Sequence, residues 1–253
     1  MIEQSLTFFA AFDGAKIAVH EIGTGRPLVL LHGYFSDAAT NWIKYGHAAT
    51  LAAAGYRVIM PDLRAHGVSA KPHDATSYPP DVLADDGFAL ITHLGLTDYD
   101  LGGYSLGART VARMLVRGAT PRCAIISGMG LTGLTHTQMR AAHFRSVFAG
   151  LGSHKQGSPQ WMAEAFLKTS GGDPVALEQI LDTFIDTTEA ELRGLSLPIG
   201  VVCGVDDQDN GSAAALVDTL SNATLLTVPG NHMSAVAKPD LGIAMARYLN
   251  DLA

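Results

Sequence analysis

The stretch Gly103-Tyr104-Ser105-Leu106-Gly107 decides the fold, because it joins two segments of different periodicity. Residues 99–104 before the turn are predicted to form a buried strand. Residues 106–116 after it carry the apolar and small side chains of a helix that packs on a sheet. A serine flanked by glycines at such a turn stands exposed above the sheet, because the missing Cβ atoms leave room for a tight reversal. The five residues therefore predict a nucleophilic serine, Ser105.

The alternation of strand and helix continues along the chain in both directions. Asp13-Gly14 predicts a turn between two antiparallel strands, and six further apolar runs predict parallel strands. The predicted strands are 7–12, 16–21, 26–31, 56–60, 99–104, 123–127, 199–203 and 224–228, and the helices among them are 40–54, 80–94, 106–116 and 234–249. We predict an α/β fold with a mostly parallel, eight-stranded sheet and helices on both faces.

Residues 128–195 interrupt this alternation, because they contain no strand pattern. The segment instead predicts helices at 136–149, 159–169 and 174–185. Open α/β sheets bind ligands beyond the carboxyl ends of their strands, so we predict that 128–195 is a helical cap over that edge. Residues 1–127 and 196–253 then form the core domain. The alternative is that these are ordinary crossover helices with no role as a lid.

The composition excludes several classes of protein. Of the 253 residues 47% are hydrophobic and only 16% are charged, which indicates a compact chain rather than a disordered one. The net charge of −7, with no dense basic run, disfavours nucleic acid and anionic membranes as partners. The longest apolar runs have strand length, so no membrane span is expected.

The two cysteines and the N-terminal residues indicate a reducing environment. Cys123 and Cys203 lie in no metal-binding or disulfide pattern, so both are expected to be free thiols. Met1-Ile2-Glu3-Gln4 lacks the basic and apolar pattern of a secretory signal. The predicted location is the cytoplasm.

A serine hydroxyl needs a base to take its proton, and a histidine late in the chain meets that need. His232 directly follows the last predicted strand, so its loop opens at the same sheet edge as Ser105. The base needs a carboxylate that holds its tautomer. Asp206, Asp207 and Asp209 all follow the preceding strand, and the residues alone leave the choice among them open.

The loop after the third predicted strand, Leu31-His32-Gly33-Tyr34, is the expected source of an oxyanion hole. The backbone N–H groups of Tyr34 and Leu106 are predicted to point into one space above Ser105 and to share the charge of a tetrahedral intermediate. His32 is expected to be structural and to bond to nearby backbone.

These motifs resemble those of the α/β-hydrolase fold superfamily, in particular of its small, capped serine hydrolases. The resemblance covers the chain outside the segment 128–195 and rests on His32-Gly33-Tyr34, 61–69, the turn at Ser105, 204–207 and Gly230-Asn231-His232. It implies that Ser105 is the nucleophile, Asp207 the orienting acid and His232 the general base. Ala65 stands where a glycine is common in that family.

The resemblance also implies hydrolysis of a carboxylic ester or lactone through an acyl-enzyme, with no metal and no organic cofactor. Ser105 disfavours epoxide hydrolases and haloalkane dehalogenases, which use an aspartate nucleophile. One alternative is a C–C bond hydrolase of meta-cleavage-type diketones, although those enzymes commonly place a tryptophan shortly after the histidine, where this chain has Met233. The other is a non-catalytic receptor for a small ligand on the same fold.

The predicted cap supplies apolar side chains for a pocket. Met129, Phe144, Trp161 and Met162 are expected to line it, which favours a small, hydrophobic, ester-like substrate. The sequence leaves the oligomeric state open.

Overall fold

A sheet of eight strands in the order β1-β2-β4-β3-β5-β6-β7-β8 organises the computed structural model, which describes residues 4–252. The strands are β1 Gln4–Ala10, β2 Lys16–Ile22, β3 Arg26–Leu31, β4 Tyr56–Pro61, β5 Asp100–Tyr104, β6 Ala124–Ser127, β7 Ile199–Gly204 and β8 Ala223–Val228. β2 pairs antiparallel with β1 and β4, and all other pairs are parallel. The predicted fold class is confirmed. Residues 1–3, part of the stretch checked for a secretory signal, lie outside the described residues.

The central strands are apolar without alternation because both faces of the sheet are covered. Along β3, Leu28 and Leu30 pack into one hydrophobic core, whereas Val29 and Leu31 pack into a second core on the opposite face. All four side chains are at most 1% exposed. β3 therefore packs against helices on both faces of the sheet at once.

The helices flank this sheet and also fill the chain between β6 and β7. They are α1 His47–Ala53, α2 Val82–His93, α3 Leu106–Val116, α4 Leu131–Thr135, α5 Thr137–Ala149, α6 Pro159–Thr169, α7 Pro174–Asp182, α8 Glu189–Arg193, α9 Ala213–Thr219, α10 His232–Ala235 and α11 Asp240–Asp251. The five helices α4 to α8 lie between β6 and β7, and the described residues of that segment contain no strand.

Two predicted helices are interrupted for identifiable reasons. In place of one helix over 40–54, a π-helical turn at Ala39–Ile43 precedes α1, and Gly46 adopts the left-handed conformation at φ 82° between them. In place of one helix over 234–249, α10 ends before Pro239 and α11 begins after it. Proline has no N–H to continue a helix, so the chain starts a new one there.

The turn between β5 and α3 is held by contacts that leave no room for side chains. A Cβ atom added to Gly107 would lie 2.0 Å from the carbonyl oxygen of Leu31, at the end of β3. A Cβ atom added to Gly103 would lie 2.3 Å from the carbonyl carbon of Gly107. The start of α3 therefore lies directly against β5 and β3.

We expect Gly107→Ala to lower the free energy of unfolding by about 3 kcal/mol, because the methyl group meets backbone atoms that cannot move aside independently. Gly194→Ala is the matched control. Its Cβ atom would approach no neighbour closer than 3.3 Å, and its φ of −72° suits alanine. Urea denaturation followed by circular dichroism measures both variants. Equal losses of stability would contradict this account of the turn.

Candidate active site

Ser105 occupies a strained position between β5 and α3. Its φ of 53° is in the left-handed region, which side chains other than glycine rarely adopt. Its N–H donates to the carbonyl oxygen of Ser127 at the end of β6, at 2.9 Å. The serine is thus fixed at the carboxyl edge of the sheet, directly before the first N–H groups of a helix.

His232 lies between Ser105 and Asp207 and bonds to both. The imidazole Nδ1 is 2.8 Å from Oδ2 of Asp207, and Nε2 is 3.0 Å from Oγ of Ser105. A carboxylate only accepts hydrogen bonds, so Nδ1–H donates to Asp207 and Nε2 is left to accept from the serine hydroxyl. The structure therefore brings together the three residues that the sequence singled out, although they are far apart in the chain.

Of the three candidate aspartates, only Asp207 reaches the imidazole. Asp206 is exposed, and its N–H donates to the carbonyl oxygen of Gly230. Asp209 pairs with Arg140 at 2.8 Å instead. The tight turn after β7 turns Asp207 inward, where its N–H bonds to the carbonyl oxygen of Gly204 at the end of the strand.

The environment of Asp207 keeps its carboxyl ionised. Burial raises the pKa of this carboxyl, but the hydrogen bond and charge of His232, the N–H of Asp209 and the thiol of Cys203 together hold it below its usual value. Burial, followed by the charge of Asp207, raises the pKa of the Cys203 thiol to about 12. The aspartate therefore carries the negative charge that an imidazolium at His232 requires.

Tyr104 holds the histidine loop in place, a role that the sequence analysis missed. Its hydroxyl donates to the carbonyl oxygen of His232 at 2.5 Å, and the two rings lie 5.3 Å apart. A buried tyrosine needs a partner for its hydroxyl, and the position of Tyr104 next to Ser105 was the signal available in the sequence. The sequence did not indicate that this partner is the carbonyl oxygen of His232, which lies 128 residues away in the chain.

The loop after β3 orients the N–H of Tyr34. The carbonyl oxygen of Gly33 accepts from Nδ1–H of His32 at 2.8 Å and from the N–H of Ser36 at 3.2 Å. The peptide is planar and trans, so the N–H of Tyr34 on the same peptide points the opposite way. Among the described residues neither this N–H nor that of Leu106 has an acceptor. Both predicted oxyanion donors are therefore available.

His32 is structural, as expected, and Asn41 adds a second support that the sequence analysis missed. Nε2 of His32 accepts from the N–H of Leu63 at 2.9 Å, so the ring is neutral with its proton on Nδ1. Burial lowers the pKa of His32, which preserves this tautomer. Asn41, from the π-helical turn, accepts from the N–H of Gly33 at 2.9 Å. Asn41 lies eight residues after Gly33 in an irregular loop, so no local sequence pattern indicates this contact.

Asp62 fastens the loop after β3 to the loop after β4. Its two oxygens accept from the N–H groups of Ala38 and Val68 at 2.9 and 2.8 Å. Burial raises the pKa of this carboxyl, but hydrogen bonds from His20 and from the N–H groups of Val68 and Ala38 help to lower it to about 2. Ala65 adopts φ 69° in this loop, a left-handed conformation that glycine adopts without the strain a side chain brings.

Two cavities open beside Ser105, with volumes of about 170 Å³ and about 360 Å³. Phe144 and Met162 line the larger one, as the sequence analysis expected. Met129 and Trp161 line neither cavity. Met129 is 1% exposed and packs against Gly133, and Trp161 lies on a different face of α6 from the residues that line the cavity.

Metal sites and membrane-spanning helices are both absent from the part of the chain that the structure describes. No group of three or more His, Cys, Asp or Glu side chains there is arranged to hold a metal ion. Within residues 4–252, the helices are also too short or too polar to cross a bilayer.

Parts of this chain are similar in sequence to known proteins. Residues 26–143 match a family model described as alpha/beta hydrolase fold. The chain is 36% identical over 122 residues to a non-heme haloperoxidase of Rhodococcus erythropolis, an alignment that covers 47% of this chain and 42% of the relative. It is 31% identical over 104 residues to a 2-hydroxymuconate semialdehyde hydrolase of Pseudomonas sp. (strain CF600), covering 41% of this chain and 36% of the relative. The chain thus spans less than half of the length of these relatives.

A solved structure agrees over nearly the whole chain. The thermophilic esterase of Thermogutta terrifontis superimposes with a TM-score of 0.79 over 98% of this chain and 99% of that one, at 20% identity. At this level of identity the agreement shows the fold.

We expect Tyr104→Phe to lower kcat about tenfold with little change in KM, because His232 loses the hydrogen bond that fixes its backbone. Tyr78→Phe is the matched control, because it removes a hydroxyl that donates to the carbonyl oxygen of Pro72 and Tyr78 lines neither cavity. Steady-state kinetics with a short-chain p-nitrophenyl ester measures both. A Tyr104→Phe enzyme as active as the control would show that this bond does not position the histidine.

We also expect stability to depend on Asp62 in acid. The pKa of Asp62 in the folded protein is about 2, below the ordinary 3.8. The stabilisation that its ionised carboxylate gives the folded state is therefore complete above about pH 4 and is lost as the pH falls toward 2. Asp62→Asn should cost about 2 kcal/mol at neutral pH and flatten the decline of stability between pH 4 and 2. Thermal unfolding across that range measures this, with the exposed Asp218→Asn as control. An unchanged decline in Asp62→Asn would contradict the assignment.

Proposed function

We propose that this chain, a member of the α/β-hydrolase fold superfamily, is a serine hydrolase that cleaves a small carboxylic ester or lactone through an acyl-enzyme. The observation that carries the proposal is the hydrogen-bonded series from Asp207 through His232 to Ser105, with distances of 2.8 and 3.0 Å. Nucleophile, base and orienting acid are the parts that acyl transfer requires.

Acylation begins when Nε2 of His232 takes the proton of the Ser105 hydroxyl as Oγ attacks the carbonyl carbon. The carbonyl π electrons move to its oxygen, and the resulting anion lies between the N–H groups of Tyr34 and Leu106. Removal of such a donor typically costs about 100- to 1000-fold in kcat. The tetrahedral intermediate then collapses, the alkoxide leaves with the proton from His232, and the acyl group remains on Oγ.

Deacylation repeats the sequence with water as the nucleophile. His232 takes a proton from the water, the hydroxide attacks the acyl carbon, and the proton returns to Oγ of Ser105 as the acid departs. Asp207 stays ionised throughout and stabilises the imidazolium. In a lactone the leaving alcohol remains attached to the acyl group, so a single hydroxy acid is released. The cycle uses only protein groups and water, and so requires neither metal nor organic cofactor.

Residues 128–195 act as a cap on a core formed by 1–127 and 196–253. Contacts between the cap and the loop after β3 support this, since the Tyr34 hydroxyl donates to the carbonyl oxygen of Leu177 at 2.6 Å. The substrate is small and hydrophobic, and the proposed location is the cytoplasm.

Two other functions compete with ester hydrolysis. Similarity to a 2-hydroxymuconate semialdehyde hydrolase favours C–C bond cleavage, against which stands Met233 in place of the tryptophan common after the histidine. A receptor that binds without turnover can keep the same three residues. Vinylogous diketones test the first alternative. A ligand-induced thermal shift without turnover would identify the second.

We expect wild-type protein to hydrolyse short-chain p-nitrophenyl esters, with Ser105→Ala and Asp207→Asn lowering kcat by about 10³- to 10⁴-fold while folding normally. Asp206→Asn is the matched control, because Asp206 is exposed and its side chain does not contact the imidazole. A panel of esters, lactones and diketones then ranks the substrates. If Asp206→Asn or Asp209→Asn is the inactive variant, the acid assignment is wrong.

A further inference from the structure

We propose that a small cavity beside α3 binds a single halide ion, chloride in the cell, with the buried guanidinium of Arg109 as its main partner. The cavity has a volume of about 20 Å³ and lies between α3, the start of α2 and residues 183–185 after α7. Ser105, Asp207 and His232 do not line it. The ion is thus a structural ligand, bound at a site separate from the proposed reaction.

The helical spacing of α3 brings its cationic side chains to this cavity. Arg109 and Arg113 are one turn apart, as are Leu106 and Thr110, so the four residues share one face of the helix. Gly107 lies against the end of β3 on the side that packs on the sheet. The face that lines the cavity is therefore free to carry charged side chains.

The guanidinium of Arg109 is buried without an anionic partner. Arg109 is 5% exposed, and the one hydrogen bond of its side chain within residues 4–252 runs from Nε to the carbonyl oxygen of Gly133 at 3.2 Å. Cζ lies 4.3 Å from the centroid of the Phe184 ring, which also lines the cavity. Both Nη groups are left without an acceptor in the described part of the chain. A buried, unpaired charge is costly, so an anion beside it is strongly favoured.

The other charges near the cavity leave Arg109 as the surplus cation. Arg113 also lines the cavity, but its Nη2 is 2.7 Å from Oδ2 of Asp81, so this pair is neutral. Burial and the charge of Arg140 lower the pKa of Arg109 to about 10, whereas the charge of Asp186 raises it. Asp186 is exposed and is not hydrogen-bonded to Arg109. Arg109 is therefore protonated at neutral pH and is contacted by no carboxylate.

The amino end of α2 adds a second donor. Leu83 lines the cavity as the second residue of this twelve-residue helix, and its N–H has no acceptor within residues 4–252. Free N–H groups at this end carry the positive pole of the helix dipole, which favours an anion. The hydroxyls of Thr110 and Thr183 also line the cavity, but both already donate to nearby carbonyl oxygens. The donors that remain favour an anion over a cation.

The size of the cavity selects a monatomic ion. A volume of about 20 Å³ holds one or two water-sized groups, which is too little for sulfate, phosphate or a carboxylate with its carbon chain. Leu106, Phe184 and Ile185 give the cavity apolar walls, which favour weakly hydrated halides over strongly hydrated oxyanions. A bound halide would hold residues 183–185, near the end of the helical segment, against α2 and α3.

Thermal unfolding in sodium chloride and in sodium gluconate of equal concentration tests this site. Gluconate is too large for the cavity, and general salt effects act on all variants alike. Replacing gluconate by about 0.5 M chloride should raise Tm at least about 3 °C more in wild type than in Arg109→Met. Arg247→Met, which removes an exposed arginine of α11, is the control and should respond as wild type does. Equal responses of wild type and Arg109→Met would overturn the proposal.

Anomalous scattering from wild-type crystals grown in sodium bromide tests the site without any variant. We expect a bromide peak in the cavity, within hydrogen-bond distance of Nη of Arg109. A water there with no anomalous signal would overturn the proposal. A bromide peak combined with equal responses of wild type and Arg109→Met to chloride would show an adventitious ion only, and would overturn it as well. If Arg109→Met does not fold, Ala84→Val takes its place in the thermal comparison, because its methyl groups fill the cavity.

Discussion

The contact between the start of α3 and the end of β3 is the constraint on which the site depends. Gly107 lies so close to the carbonyl oxygen of Leu31 that a methyl group would stand 2.0 Å away. This contact places Leu106, which carries one free N–H, beside the loop that carries the N–H of Tyr34. With α3 held this close to β3, the chain must reverse sharply at Ser105, and this residue adopts a strained φ of 53°. One backbone contact thus positions both the proposed nucleophile and the two N–H groups of the proposed oxyanion hole.

The polar groups around this contact are arranged before any substrate arrives. The Gly33–Tyr34 peptide is held through its carbonyl oxygen by His32, and the preceding N–H by Asn41. Asp62 ties the loop after β3 to the next one. Because these dipoles are fixed by folding, charge that develops on a reacting oxygen meets donors that need no reorganisation. The buried hydrogen bonds that stabilise these loops therefore also hold the N–H donors that the proposed chemistry uses.

The sequence predicted the parts of the site that follow from strand ends, and it missed those that follow from side-chain direction. Ser105 directly follows β5 and His232 ends the short loop after β8, so their meeting at one edge of the sheet follows from topology. The choice of Asp207 needed the resemblance, since a tight turn decides which of three neighbouring carboxylates points inward. Met129 and Trp161 were wrongly expected in the pocket, because the composition of a helical segment does not reveal which face meets the cavity.

The central claim is that Oγ of Ser105 is made nucleophilic by His232. The most direct measurement is peptide mapping by mass spectrometry after a timed reaction with a fluorophosphonate. The account predicts a single covalent adduct, on the peptide that contains Ser105, formed rapidly in wild-type protein and far more slowly in His232→Ala. An adduct on another residue, no adduct at all, or an equal rate in His232→Ala would contradict it.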